Sequence, residues 1–274
     1  MRFDIVTIFP DFFAGPLQYG ILSRAIASGM VEVRTHDLRS FTHDRHRTVD
    51  DRPFGGGEGM VLKPEPIFDC AASLNVTELT ERDTTRQSVI LLSAQGLPFT
   101  QATARNIATL EHVVLICGRY EGIDERVNLL LADQEISIGD YVLSGGELAA
   151  AAVLDATVRL LPGVLGHADS ARFESFGLDE DSSSSQGAGG VPSSTHAAGG
   201  LLDYPHYTRP ADFRGTAIPG VLSSGDHIAI RRWRHQQALA KTLRNRPDLI
   251  ARATLSQEDR RFLETLGFES GNSC

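Results

Sequence analysis

Cysteine is scarce in this chain. Only Cys70, Cys117 and Cys274 occur along 274 residues, and no pair of them has CxxC spacing. An odd, widely spaced set supplies neither a disulfide framework nor a zinc ribbon, so a reducing compartment is expected. No GxGxxG fingerprint follows a strand, no GxxxxGK[ST] loop occurs, and there is no GxSxG elbow. Those absences speak against a Rossmann dehydrogenase, a P-loop NTPase and an α/β-hydrolase. Long apolar runs are missing too. Met1 to Pro10 alternates polar with apolar residues and carries Asp4 inside its one apolar run, so neither a signal-peptide core nor a membrane span is expected there. Positive charge is short as well, with 26 Lys plus Arg against 35 Asp plus Glu and a net charge of −9. Any nucleic-acid contact must therefore use local basic patches. What remains is a soluble, cytoplasmic chain with 41% hydrophobic residues, enough for one large domain or a main domain plus a smaller one.

The chain opens as a βαβ unit. Arg2 to Ile8 and Val31 to Asp37 place apolar residues at every second position, while Leu17, Ile21, Leu22, Ala25 and Ile26 fall on one helical face. Ser88 to Leu92 (SVILL) and His112 to Ile116 (HVVLI) are short apolar runs of the buried parallel-strand type, with a helix expected from Thr100 to Leu110 between them. Glu135 to Ile138 leads into a glycine-rich stretch and then an apolar helix, Glu147 to Leu161. Asp179 to Gly200 is almost all Ser, Gly, Ala and acid, which suits a linker or lid. Beyond it a long helix is expected from near Asp226, and a last one capped by Ser256 with Asp259 in its first turn.

Three segments carry more chemistry than a fold needs. THDRHRTVDDRPFGGGEGM, Thr42 to Met60, packs three Arg, two His and three Asp ahead of four glycines in five residues. The glycines let backbone approach a partner closely, and Arg45, Arg47 and Arg52 can fork onto phosphates. A solvated, self-paired loop is the competing account, and His43 with His46 lacks an obvious third metal ligand. CGRYEGIDER, Cys117 to Arg126, follows a buried strand, where an α/β sheet puts its ligand crevice. SIGDYVLSGGE, Ser137 to Glu147, surrounds Tyr141 and Leu143 with Gly and Ser and opens a helix; it can wrap a small flat ligand or serve only as a tight connection.

Together with RLLPGVLGH at Arg159 to His167 and GLLDYPHYTRP at Gly200 to Pro210, these segments closely resemble the bacterial tRNA (guanine-N1)-methyltransferases, the TrmD family. The resemblance runs from Met1 to about Arg246, is interrupted by the Ser/Gly-rich stretch and is weakest at the end. It implies an α/β, SPOUT-type parallel sheet with a deep trefoil knot plus a small helical C-terminal domain. The knot is among the rare exceptions to unknotted topology. The implied organisation is a cofactor-binding domain at 1–161, a linker or lid at 162–202 and a tRNA-binding domain at 203–274. The implied reaction moves a methyl group from S-adenosylmethionine to N1 of the guanosine immediately 3′ of the anticodon, position 37, within a homodimer whose active site lies between subunits.

Carried over residue by residue, the resemblance places the cofactor at Leu92, Ser93, Gly118, Glu121, Ser137, Ile138, Gly139, Asp140, Tyr141, Val142, Leu143, Gly145 and Gly146. Ala94 stands where the family usually has proline. The C-terminal domain is implied to grip the anticodon arm of tRNA, and RNA contact is assigned to His43, Arg45, His46, Arg47, Arg52, Arg209, Arg231 and Arg234. The last two lie in a run, Arg231 to Arg246, with no acid before Asp248. Trp233 is expected in the core rather than as a stacking platform. Guanine N1 must lose a proton as the methyl arrives, which calls for a base and an oxyanion stabiliser. Arg159 matches the family's arginine for guanine O6. The family's base is an aspartate, and counting from Gly166 and His167 puts Glu174 at that position; Asp169 and Asp203 are the competing acids. Magnesium dependence is implied, with Glu121 and the RNA as oxygen donors, although no spacing announces a metal cage. A catalytically silent RNA binder and a phosphate-binding metabolic enzyme are the rival functions.

Overall fold

The computed structural model describes residues 1–166, 174–177 and 200–268. These fall into two compact units, Met1–Gly166 and His167–Cys274. The expected linker at Asp179 to Gly200 lies almost wholly outside the described residues.

The first unit opens with β1 (Arg2–Thr7), α1 (Gly20–Ala27) and β2 (Glu32–Asp37). A two-stranded ribbon follows, β3 (Asp50–Asp51) with β4 (Val61–Leu62), then α2 (Pro64–Ser73). Next come β5 (Gln87–Pro98), α3 (Gln101–Ala108), β6 (His112–Cys117), α4 (Glu125–Leu130), β7 (Gln134–Ser137) and α5 (Glu147–Val158). The main sheet runs β2-β1-β6-β5-β7, and every pairing in it is parallel. The apolar runs therefore sit where a doubly covered sheet needs them. Val113 and Leu115 of β6 join α1, α3 and α5 in one buried cluster, while Val114 and Ile116 join α2 and α4 in another. Alternation along one strand thus feeds two cores, and truncating Leu115, fully buried, would cost about 2–5 kcal/mol.

Several expected elements change at their ends. The helix after Gly146 stops at Val158 rather than Leu161, because Pro162 and Gly163 follow within a few residues. The helix expected from Thr100 begins at Gln101, with the Thr100 hydroxyl capping it by accepting from Thr103 N–H. β5 runs six residues past Leu92, and its register with β7 shifts so that both Leu92 and Leu97 face Ile136. Gly96 sits in that irregularity. A Cβ there would lie 2.5 Å from the Glu135 carbonyl carbon and 2.6 Å from its oxygen, so only glycine lets the strands cross.

Charge is also buried in this unit. Asp4, inside the apolar run of β1, is fully enclosed and receives His36 Nε2 and His112 Nε2 at 2.7 Å each, with Arg2 Nε at 2.9 Å. Burial opposes its ionisation, but the two histidine hydrogen bonds and the Arg2 charge outweigh it and hold the carboxyl well below the usual range.

The second unit holds a short hairpin, β8 (Asp212–Phe213) and β9 (Thr216–Ala217), followed by α6 (His227–Asn245), α7 (Pro247–Arg252) and α8 (Gln257–Thr265). Asp226 caps α6 by accepting from the Ile228 and Ala229 N–H groups, and Ser256 with Asp259 forms the capping box of α8. Leu201, Leu239, Ile250 and Leu263 make its buried cluster.

Candidate active site

β6, β5 and β7 are side by side and parallel, so the segments leaving their carboxyl ends share one edge of the sheet. Those segments hold the residues singled out for cofactor. Leu92 and Ser93 end the buried part of β5, Gly118 follows β6, and Ser137 to Gly146 lies between β7 and α5. Backbone joins them directly. Gly146 N–H donates to the Gly118 carbonyl at 2.8 Å, and Arg119 and Gly145 form an antiparallel bridge. A Cβ on Gly146 would come within 2.7 Å of Cys117 Cα and 3.0 Å of Gly118 N. Around this crossing Ser137 Oγ donates to the Gly139 carbonyl, Tyr141 Oη donates to the Ile138 carbonyl, and Asp140, Tyr141 and Val142 are exposed. Beneath it the Cys117 thiol is enclosed, and burial pushes its pKa well up, so it is an inert core group.

Glu121 is exposed in the turn that closes with Gly122 N–H on the Arg119 carbonyl. Its own N–H donates to Met60 at 3.0 Å, and Leu62 N–H donates to Gly122. The charged glycine-rich loop and the CGRYEGIDER segment are thereby brought together. Within that loop Asp44 accepts from the Thr48 hydroxyl and from the Thr48 and His46 N–H groups, bonds that hold its carboxyl below the usual range. Arg47 is turned back onto the Arg39 carbonyl and Ser40, and His43 onto Asp69 at 2.9 Å. Arg45, His46 and Arg52 are exposed, as is the whole Phe54 side chain. The loop is partly self-paired, which was the competing account, yet two arginines stay turned to solvent.

Sequence reasoning missed a network beside the crossing. Glu147, only 1% exposed, accepts from Thr7 Oγ1 at 2.7 Å and from Arg119 Nε at 3.1 Å, and the Arg119 guanidinium lies 4.5 Å from the Phe9 ring centroid. A carboxylate at the head of a seven-residue apolar run, ELAAAAVL, is its signal.

Of the three candidate catalytic residues, Arg159 is the C-cap of α5 in the first unit. Glu174 and Asp203 belong to the second, where short segments pair: Phe176 N–H donates to Leu201, and Asp203 N–H to Ser175 Oγ at 2.9 Å. The Asp203 carboxylate accepts from Tyr204 N–H and pairs with His206 at 2.9 Å. Asp169 lies outside the described residues. Arg209 and Arg231 are exposed, whereas Arg234 is half-buried, its guanidinium 5.0 Å from the Tyr204 ring centroid. Trp233 is half-buried, with the Tyr207 ring 6.2 Å away. One cavity of about 430 Å³ is lined in this unit by Tyr207, Pro210, Phe213 and Arg214, and another of about 360 Å³ by Gln95–Pro98 and β7 in the first. Neither is centred on the glycine crossing.

The first unit thus defines its class: a doubly covered parallel α/β protein whose glycine-bearing loops gather at the carboxyl edge of β6, β5 and β7, the edge at which such sheets bind ligands. A family model described as tRNA (Guanine-1)-methyltransferase TrmD matches residues 1–252. The tRNA (guanine-N(1)-)-methyltransferase of Koribacter versatilis (strain Ellin345) is 58% identical over 266 residues, covering 97% of this chain and 98% of that protein. Proteins of the same name from Moorella thermoacetica (49% identical; 99% and 98% covered) and Geobacter metallireducens (47%; 100% of both) agree along their length. The chain belongs to the tRNA (guanine-1)-methyltransferase family and is an enzyme.

Proposed function

We propose that this enzyme transfers a methyl group from S-adenosylmethionine to N1 of guanosine 37 in tRNA, as a cytoplasmic homodimer. The observation that carries the reading is the crossing itself, in which Gly146 N–H meets the Gly118 carbonyl and three glycine-bearing segments share one sheet edge. The residues fit the cofactor: backbone of Leu92, Gly118 and Ser137–Gly146 offers N–H and C=O groups to a purine edge. Ile138, Tyr141 and Leu143 supply apolar surface for its face, and the exposed Glu121 carboxylate suits a cation. When bound, S-adenosylmethionine supplies an electrophilic methyl on a sulfonium. A trefoil knot is the topology we assign, supported by the two passages where chain meets chain with no room for a Cβ, at Gly96 and Gly146. We assign 1–161 to cofactor, 162–202 to the linker and 203–274, with its basic α6, to the anticodon arm. For magnesium, no three His, Cys, Asp or Glu side chains converge among the described residues, and Glu121 with the bound RNA would supply its oxygen donors.

In this reading Glu174 takes the N1 proton, and Arg159 holds the charge that develops on O6. Asp203, engaged by Tyr204 N–H and His206, keeps the segment beside Glu174 in place. Dimerisation is supported by exposed apolar side chains of the first unit, among them Leu97, Leu129, Leu130 and Leu148. No helix among the described residues is long and apolar enough to cross a membrane.

The test is methylation of an unmodified tRNA transcript followed by mapping, since a methyl on N1 blocks Watson–Crick pairing and stops primer extension at that base. A stop at position 37 is expected; a stop elsewhere, or none, overturns the reading. Glu174→Gln should lower turnover by at least about a hundredfold with cofactor binding kept, and Glu174→Asp should keep part of the activity. Arg159→Ala should abolish transfer while cofactor affinity stays within a few-fold, because its contribution lies in the transition state.

A further inference from the structure

The Thr7–Glu147–Arg119 network has no part in the chemistry above, yet it joins the two loops that the proposed cofactor would touch. Resting on the cofactor reading of the crevice, we propose that Arg119 and Glu147 are positioning residues: a largely buried ion pair that pins the loop after β6 onto the loop after β7. Glu147 is the first residue of α5 and lies directly after Gly145 and Gly146; Arg119 lies between Gly118 and Glu121. The pair therefore fastens the glycine crossing from both sides.

Its geometry leaves little freedom. Arg119 Nε donates to Glu147 Oε2 at 3.1 Å, and Nη2 lies 3.1 Å from the same oxygen, so two nitrogens of one guanidinium converge on it. Thr7 Oγ1 donates to the same carboxylate at 2.7 Å and accepts from Phe9 N–H at 3.0 Å, which ties the pair to the end of β1. The Phe9 ring lies against the same guanidinium, its centroid 4.5 Å from Cζ. The arginine also lies across the Gly145 backbone, where any Cβ would collide with Nε and Cδ. Glycine at 145 is thus needed by the arginine as much as by the turn.

Such a pair is weak evidence of a role in stability, because desolvation consumes much of the attraction. The α5 side of the core is filled by Ala150, Val153, Leu154 and Val158, all fully buried, so the helix is seated without it. What the pair fixes and the core does not is the position of Gly118–Glu121 relative to Gly145–Gly146. A shift of about 1 Å between these loops would spoil a pre-formed site.

The test compares wild type with Glu147→Gln, Arg119→Met and Arg119→Lys in the full-length protein. The first readout needs no cofactor: amide exchange at residues 143–147 and 118–121 should speed up in Glu147→Gln and Arg119→Met while exchange in β6 is unchanged. Calorimetry should show S-adenosylmethionine binding weakened by about tenfold in both, and KM for the cofactor should rise equally while KM for tRNA stays within about twofold. Arg119→Lys, which keeps a cation without the fork, should recover part of the affinity that Arg119→Met loses. A merely structural pair would lower the active fraction and leave both KM values alone. Exchange and cofactor affinity equal to wild type, or KM for both substrates rising together, overturns the proposal. If Glu147→Gln does not fold, Arg119→Met decides, since that side chain is partly exposed. Wild-type protein that binds no S-adenosylmethionine overturns the function proposed above instead, and exchange alone then decides whether the pair pins the loops.

Discussion

The chain uses glycine in two opposite ways, and the contrast separates its closed backbone crossings from its charged loop. At Gly96 and Gly146 backbone passes against backbone, and a single added carbon has nowhere to go. At Gly56 nothing lies within 4 Å of where a Cβ would stand, but φ is +81°, a conformation that other residues adopt only under strain. One set of glycines removes bulk so that a crossing can close. The other bends an exposed loop so that Arg52 and Phe54 face solvent. A glycine-rich motif is therefore ambiguous until the space around it is known.

The sharpest way to break the contrast is Gly96→Ala, where a Cβ must displace the β7 backbone. We expect a loss of more than about 3 kcal/mol, read as failure to give a cooperative melt, with Gly146→Ala behaving alike. A melt within a degree or two of wild type at both positions would remove the distinction. The closed region also contains charge, and Asp4 tests it by pH. Its folded pKa is depressed, so the stability it contributes is complete above its unfolded pKa and drains away as pH falls below about 5 toward the folded value. Melting temperature should drop steeply on that acid limb in wild type and less steeply in Asp4→Asn, whose neutral-pH stability starts lower.

On the open side the effects should spare stability. Arg52→Gln or Arg231→Gln should weaken tRNA binding several-fold and reduce the slope of log affinity against log salt by about 1, with an unchanged melt. An unchanged slope would place that residue away from phosphate. The smallest effect is expected for Gly56→Ala, about 1 kcal/mol of strain in a loop with room for the methyl. A larger loss would mean that this loop, too, is packed.

Much of the first unit was legible in the order of residues because buried parallel strands are nearly continuous apolar runs, as SVILL and HVVLI are. The extension of β5 to Pro98 was not, since Gly96 and Pro98 speak against a strand interior and only the partner strand explains them. α2 escaped because Pro64 and Pro66 read as breakers, although Ile67, Cys70 and Ala71 have helical spacing and are buried. The loops of the candidate site announced themselves by glycine, and their convergence follows from the strand order, which no local pattern contains. The Arg119–Glu147 pair was invisible for the same reason: its members lie 28 residues apart and meet only because β6 adjoins the path into α5.

That strand order also has a consequence on the ribosome. β1 is made first, but one of its two neighbours, β6, pairs Arg2 with His112, so the centre of the sheet cannot assemble until most of the first unit has been synthesised. At about 5–20 residues per second, the interval between completing β2 and completing β6 is on the order of ten seconds. For that time β1, nearly all of whose residues end up buried, has only β2 beside it, and a lone two-stranded pairing is marginal in water. Through that interval the nascent chain carries an apolar strand that still lacks the neighbour completing its pairing.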